Sequence, residues 1–284
     1  MKLFLIALSS LLLSACTKVG LEVAKIPAKF SNNKILTDIS FGNDDWQKLD
    51  IYIPADTKEQ AKPVIVFFYG GRWESGSKNM YTFIGNKLAD DGFVTVIADY
   101  RKYPEVKFPT FVEDGAKALA WVDEHIAEYG GNRNELFVSG HSAGAHIGAL
   151  LTADEHYLQD EGVNPKSIKA FVGLSGPYDF EPKADDLKKI FAPPKNYPQM
   201  QVTTFIDGSE PPMLLLWGDA DKEVYRSNLD SLAAKCKEKG VKVETKIYPG
   251  VDHVGIIADQ IWFYPGKATA LEDMTQFFNE VALD

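Results

Sequence analysis

Acyl transfer needs a hydroxyl to attack, an imidazole to take its proton and a carboxylate to hold that imidazole in one tautomer. The candidate hydroxyl is Ser142, in Gly140-His141-Ser142-Ala143-Gly144. Phe137-Val138 before it reads as the end of a buried strand, and Ile147 to Leu151 after it reads as a helix. A Gly-x-Ser-x-Gly turn between the two is so sharp that only glycine is expected to fit at Gly140 and Gly144. It would lift the Ser142 hydroxyl above the sheet edge, with the N–H groups of the following helix aimed at any charge that develops there. Small residues also collect in ordinary strand-to-helix turns, so the motif counts only in this context.

Partners for a serine in a parallel sheet should lie on loops beyond the carboxyl ends of strands. Of the five histidines, His253 alone has that place, after the strand Val243 to Tyr248 and the turn Pro249-Gly250-Val251-Asp252. His125 falls within a helix and His156 in a polar loop, while His141 and His146 share the serine's own turn and helix and face the wrong way to serve it. The acid should follow the strand Met213 to Trp217, in Gly218-Asp219-Ala220-Asp221-Lys222-Glu223-Val224. Asp221 is the first choice, Asp219 competes, and Asp252 is third because a residue seldom curls back onto its neighbour's ring. Asp219 or Glu223 could instead cap the helix that follows. Ser142, Asp221, His253 is the serine–acid–histidine order of one of the several folds that carry this constellation.

A developing oxyanion needs N–H donors. One should be Ala143, directly after the serine, and the second should come from the loop Tyr69-Gly70-Gly71-Arg72-Trp73, with Gly71 and Arg72 the candidates. Trp73 is the candidate pocket wall. Trp262, Phe263 and Tyr264 are candidates to line the pocket after His253, with core packing the default.

These loops must hang on a scaffold that the apolar pattern outlines. Strands are expected at Lys34 to Phe41 and Gln47 to Ile53, joined by the turn cluster Gly42-Asn43-Asp44-Asp45 as an antiparallel hairpin. Further strands fall at 64–69, 94–98, 136–139, 170–174, 213–217 and 243–248, and helices at 79–90, 110–129, 142–153, 224–239 and 268–282. Short apolar runs alternating with amphipathic helices predict an α/β fold: a mostly parallel eight-stranded sheet with helices on both faces. Residues 175–212 break the rhythm with Pro177, Pro182, Pro193, Pro194, Pro198, Pro211 and Pro212. That stretch is expected to be largely irregular and to form a cap over the site, the alternative being a plain surface insertion.

The chain has 284 residues, 45% of them hydrophobic and 25% charged, within reach of one domain spanning 34–284. A formal charge of -10 argues against nucleic acid as a partner. Scattered histidines without metal-ligand spacing predict no metal and no cofactor. Met1-Lys2 followed by the apolar run Leu3 to Leu13 reads as a signal peptide over residues 1–15, too short to span a bilayer, and 16–33 as a tether. Leu13-Ser14-Ala15-Cys16 resembles the lipobox of bacterial lipoproteins, which implies lipidation of Cys16 and a membrane-anchored domain in the bacterial cell envelope, periplasm-facing or at the cell surface. By that resemblance Thr17 favours the outer membrane. The alternative is plain secretion. With Cys16 carrying lipid, Cys236 has no disulfide partner.

Together, Tyr69-Gly-Gly-Arg-Trp73, Asp99-Tyr100-Arg101, Phe108-Pro109 with Asp114, Gly130-Gly131-Asn132, Gly140-His-Ser-Ala-Gly144, the Asp221 loop and His253 resemble an α/β-hydrolase of the esterase/lipase group. The likeness lies near the hormone-sensitive-lipase-like and kynurenine-formamidase-like branches and runs from Gln47 to the C-terminus. It implies a serine hydrolase cleaving small-molecule carboxylic esters, with formamide or amide cleavage, or an inactive binding protein on the same scaffold, as alternatives. One departure stands out: the family usually carries His where this chain has Tyr69, and that side chain braces the oxyanion loop. Arg72 fills the family's variable position; it could recognise an acidic or polar acyl group, but the simpler expectation is that it points outward and pairs with a carboxylate.

Overall fold

The computed structural model describes residues 31–56, 60–191, 193–258 and 268–283. The signal peptide, Cys16, most of the tether and Trp262 to Tyr264 lie outside the described residues.

Eight strands form one sheet: β1 (Lys34–Ser40), β2 (Lys48–Ile53), β3 (Lys62–Phe68), β4 (Val94–Ala98), β5 (Gly131–His141), β6 (Ile168–Leu174), β7 (Met213–Gly218) and β8 (Val243–Tyr248). Their order is β1-β2-β4-β3-β5-β6-β7-β8. The expected N-terminal hairpin is present: β1 pairs antiparallel with β2, β2 antiparallel with β4, and all other neighbours are parallel. The apolar runs of β3, β4, β6 and β7 are buried because helices cover both faces of the sheet.

The helices are α1 (Thr82–Asp90), α2 (Thr110–His125), α3 (Ala143–Ala153), α4 (His156–Asp160), α5 (Asp185–Phe191), α6 (Tyr197–Met200), α7 (Ser227–Lys239), α8 (Gly255–Ala258) and α9 (Ala270–Leu283). The step from β3 to β4 runs toward one sheet edge; the step from β5 to β6 runs toward the other. Right-handed crossovers therefore put α1 and α3 on opposite faces. The loops leaving β3 and β5 diverge and open a crevice at the carboxyl ends of these two adjacent strands, the usual ligand position in such sheets.

Among the differences from the sequence reading, three stand out. β5 starts at Gly131 rather than 136, because Gly131 also pairs with Lys62 of β3. The helix read as 110–129 is α2 followed by a tighter turn, Ile126–Tyr129, ended by Gly130 at φ 81. Between β6 and β7, residues 175–212 are less irregular than expected. They hold α5, which has Asp185 and Asp186 in its first turn and Lys188 and Lys189 in its last, matching the helix dipole. The prolines do not oppose this: Pro182 and Pro193 lie outside α5, while Pro194 and Pro198 open short helical turns, where a missing N–H costs nothing.

Candidate active site

Ser142 stands at the turn from β5 into α3 with φ 54 and ψ -123, a conformation that costs a side-chain-bearing residue on the order of 1–3 kcal/mol. Its surroundings impose it. The Ser142 N–H donates to Leu174 O on β6 at 2.9 Å, and Ser142 O accepts from His146 N–H at 3.1 Å. The glycines are required by close approach: a Cβ on Gly140 would lie 2.5 Å from Gly144 C, and one on Gly144 would lie 2.1 Å from Phe68 O. The backbone strain thus sits on the serine itself.

The structure brings Ser142, His253 and Asp221 together. His253 Nε2 is 2.8 Å from Ser142 Oγ, and His253 Nδ1 is 2.7 Å from Asp221 Oδ2. Asp221 Oδ2 accepts from Nδ1–H, which leaves Nε2 with a lone pair facing the hydroxyl. Asp221 Oδ1 accepts from the N–H groups of Glu223 and Val224 at 2.8 and 3.0 Å, so its carboxylate also folds its own loop. Burial pushes the Asp221 carboxyl pKa up, but the His253 hydrogen bond and the two amides outweigh it and hold the group below the usual carboxylate value. The competing acids are occupied elsewhere: Asp219 Oδ1 accepts from Gly250 N–H and Asp252 Oδ1 from Gly255 N–H at the start of α8.

In the loop after β3, Gly71, Arg72 and Trp73 have φ 141, 54 and 60. Gly71 O accepts from the N–H groups of Glu74 and Ser75 at 3.1 and 2.9 Å. A trans peptide holds C=O and N–H antiparallel, so the Arg72 N–H points away from that turn. Ala143 is the first residue of α3, where an N–H has no acceptor within the helix. Arg72 and Ala143 line one cavity with Ser142 and His253. The Arg72 side chain is half exposed and pairs with Asp186 of α5 and with Glu74, as the simpler expectation had it.

Tyr69 is braced from below. Its ring stacks on Tyr100 at 4.7 Å, its carbonyl accepts from Tyr100 OH at 2.9 Å, and its hydroxyl accepts from Lys102 Nζ at 3.0 Å. Lys102 is itself buried, and that burial lowers its pKa to about 8.

The cavity is about 570 Å³ in volume. Residues 175–212 supply Pro177, Phe180, Ala184 and Leu187 to its wall, with Trp73 and Tyr225. Trp73 is almost wholly buried and stacks on Phe180 at 5.8 Å. Glu223, which sequence reasoning treated only as a possible helix cap, lines the cavity with a carboxylate oxygen 3.9 Å from His253 Nε2. Among the described residues no cluster of three or more His, Cys, Asp or Glu is placed to hold a metal ion.

Two histidines set aside on sequence have defined places. His146 Nε2 donates to Met200 O at 2.7 Å, which ties α3 to α6, and burial lowers its pKa to about 4. His141 Nε2 donates to His253 O at 2.9 Å, and burial lowers its pKa to about 3.

The sheet order, the strained serine after β5 and the loops that meet at the β3/β5 crevice define an α/β-hydrolase. A carbohydrate esterase from gut microbiota superimposes with TM-score 0.76 at 22% identity over 88% of this chain and 97% of that one. Esterase B from Lactobacillus rhamnosis gives TM-score 0.77 at 18% identity over 99% and 96%. The BD-FAE family model matches residues 49–236, and the chain belongs to that family. In sequence it is 27% identical over 249 residues to isoprenylcysteine alpha-carbonyl methylesterase ICME of Arabidopsis thaliana, covering 80% of this chain and 58% of that protein. It is 29% identical over 238 residues to esterase LipC of Mycobacterium tuberculosis, covering 76% and 58%. The chain thus spans somewhat under two thirds of the length of these curated relatives.

Proposed function

We propose that this chain is a carboxylic ester hydrolase that acts on small esters through an acyl-enzyme on Ser142. The observation that carries the reading is the continuous hydrogen-bonded row from Ser142 Oγ through the His253 ring to Asp221. The family and the esterase names of the relatives support the same class. Ser142 Oγ attacks the ester carbonyl as its proton passes to His253 Nε2. Asp221 keeps the ring in the needed tautomer and stabilises the imidazolium that forms. The negative oxygen of the tetrahedral adduct is held by the Ala143 N–H with those of Gly71 and Arg72. The adduct collapses as Nε2–H protonates the departing alkoxide. Water, deprotonated by the same nitrogen, then cleaves the acyl-serine. Residues 175–212 act as the cap that shapes the acyl and alcohol subsites.

A zebrafish (Danio rerio) kynurenine formamidase is 30% identical over 165 residues, 58% of this chain and 52% of that protein, which makes formamide cleavage the second reading. The test is steady-state turnover of p-nitrophenyl acetate beside matched acetanilide and formanilide substrates, for wild type and Ser142→Ala. Ester turnover that vanishes in Ser142→Ala supports the first reading. Preferential formanilide turnover supports the second. Ligand binding by both proteins with no turnover would mean a binding protein. We further propose an envelope-anchored domain lipidated on Cys16, on the strength of Leu13-Ser14-Ala15-Cys16; the mass of the mature N-terminal peptide tests it.

A further inference from the structure

Three loops must keep one register for this site to work: the one after β3 with the oxyanion donors, the turn carrying Ser142, and the one carrying His253. A buried chain of hydrogen bonds joins all three. Gly70 N–H donates to Tyr81 OH at 3.2 Å. Tyr81 OH is 3.0 Å from His141 Nδ1. His141 Nε2 is 2.9 Å from His253 O. Tyr81 and His141 are both buried, and the His141 ring packs on the His253 ring at 4.8 Å.

The chemistry of the groups fixes where every proton lies. The His253 carbonyl can only accept, so His141 Nε2 carries hydrogen. Burial holds His141 neutral at working pH, so its Nδ1 keeps a lone pair. The Tyr81 hydroxyl, with its pKa pushed up to about 12 by burial, stays protonated and donates to that lone pair. Its oxygen is then free to accept the Gly70 N–H. The chain runs in one direction, with no donor meeting a donor. A Cβ on Gly70 would lie 3.0 Å from both His141 Nδ1 and Ser142 Cβ, so the loop after β3 is seated against the serine turn at this point.

We propose that Tyr81 and His141 are positioning residues that lock the oxyanion loop, the nucleophile turn and the backbone of His253 into one register. The inference rests on the reading of Ser142 as nucleophile. Neither residue lines the cavity around Ser142. Breaking the chain should therefore let the catalytic groups drift relative to one another while the walls that bind substrate stay in place.

The test compares Tyr81→Phe, His141→Leu and His141→Gln with wild type on p-nitrophenyl acetate, and reads the His141 tautomer by ¹⁵N NMR. Tyr81→Phe and His141→Leu should each lower kcat about tenfold or more, because each leaves buried polar groups unpaired, with KM within about twofold. His141→Gln should recover most of the His141→Leu loss, since its amide can accept from Tyr81 OH and donate to His253 O. The double variant Tyr81→Phe/His141→Leu should lose little more than His141→Leu alone, because the two act as one unit. In the spectrum His141 should remain neutral with hydrogen on Nε2 from pH 8 to pH 5. The proposal is overturned if folded Tyr81→Phe keeps wild-type kcat, if His141→Gln is as impaired as His141→Leu, or if hydrogen sits on Nδ1. If His141→Leu does not fold, Tyr81→Phe and the spectrum decide. A wild type that turns over no ester defeats the hydrolase reading, and the NMR tautomer still judges the hydrogen-bond chain.

Discussion

Behind Ser142, Tyr81 and His141 are buried, uncharged and hydrogen-bonded on both sides; across the cavity, Arg72 meets Asp186 with both side chains about half in water. Tyr81 stands just before α1 and His141 at the end of β5, whereas Arg72 stands on the loop after β3 and its partner Asp186 on α5, in the segment between β6 and β7. Hydrogen bonds among buried neutral groups are costly to break, because a group left unpaired cannot turn to solvent. An exposed ion pair is screened and contributes little. The machinery is thus tied by buried hydrogen bonds, while the ion pair from Arg72 to α5 can change at little cost to the fold, the apolar part of the wall being held by the stack of the buried Trp73 on Phe180. His146, with its Nε2 on Met200 O, is a buried link from α3 to the segment between β6 and β7.

The comparison can be broken most strongly at Asp221. Asp221→Asn keeps an acceptor for the Glu223 and Val224 amides but offers His253 Nδ1–H the wrong partner or forces the other tautomer. Ester turnover should fall by about 10⁴ in kcat with the melting temperature little changed. A loss under tenfold would show that His253 is not oriented through Asp221.

The rigid region should also show itself in acid. His141 and His146 carry pKa values near 3 and 4 when folded, against 6.5 for an ordinary imidazole. Between those values the unfolded chain binds more protons than the folded one. The stability they confer is therefore complete above pH 6.5 and drains as pH falls below it, by about 1.4 kcal/mol per pH unit for each imidazole. Urea unfolding at pH 7.5, 6 and 5 should show this slope, and His141→Gln should remove its own share. A flat profile between pH 6.5 and 5 would place both rings in contact with water.

Across the cavity the effects should be small. Arg72→Ala and Asp186→Ala should leave the melting temperature unchanged and move kcat/KM by no more than about threefold, an effect that fades at high salt. Smaller still, Glu223→Gln should shift the relative turnover of esters with cationic and anionic alcohols by about two- to threefold, since this exposed carboxylate faces His253 Nε2. A large stability loss in either Arg72 or Asp186 variant would erase the contrast between the regions.

The contrast also explains what could be read in the sequence. Ser142 and Asp221 each follow a strand whose apolar run is plain, His253 follows the alternating edge strand β8, and a parallel sheet gathers such loops at one end, so their juxtaposition was legible. The N-terminal hairpin was legible from the turn cluster Gly42-Asn43-Asp44-Asp45 between its two strands. The places of Tyr81 and His141 were not. They depend on β3 lying beside β5 with β4 on the far side, an adjacency absent from the linear order. A tyrosine at the start of a helix carries no chemical signal by itself. The helix α5 was hidden by the prolines on either side of it, and Glu223 by its closeness to a helix start, where a carboxylate has an ordinary use.

The most direct test of the account is intact-mass analysis of the purified protein after treatment with a fluorophosphonate, wild type beside Ser142→Ala. The account predicts a single adduct on wild type, mapped to Ser142 and absent from the variant. A well-folded wild type that takes no adduct, or an equal adduct on both proteins, would contradict it.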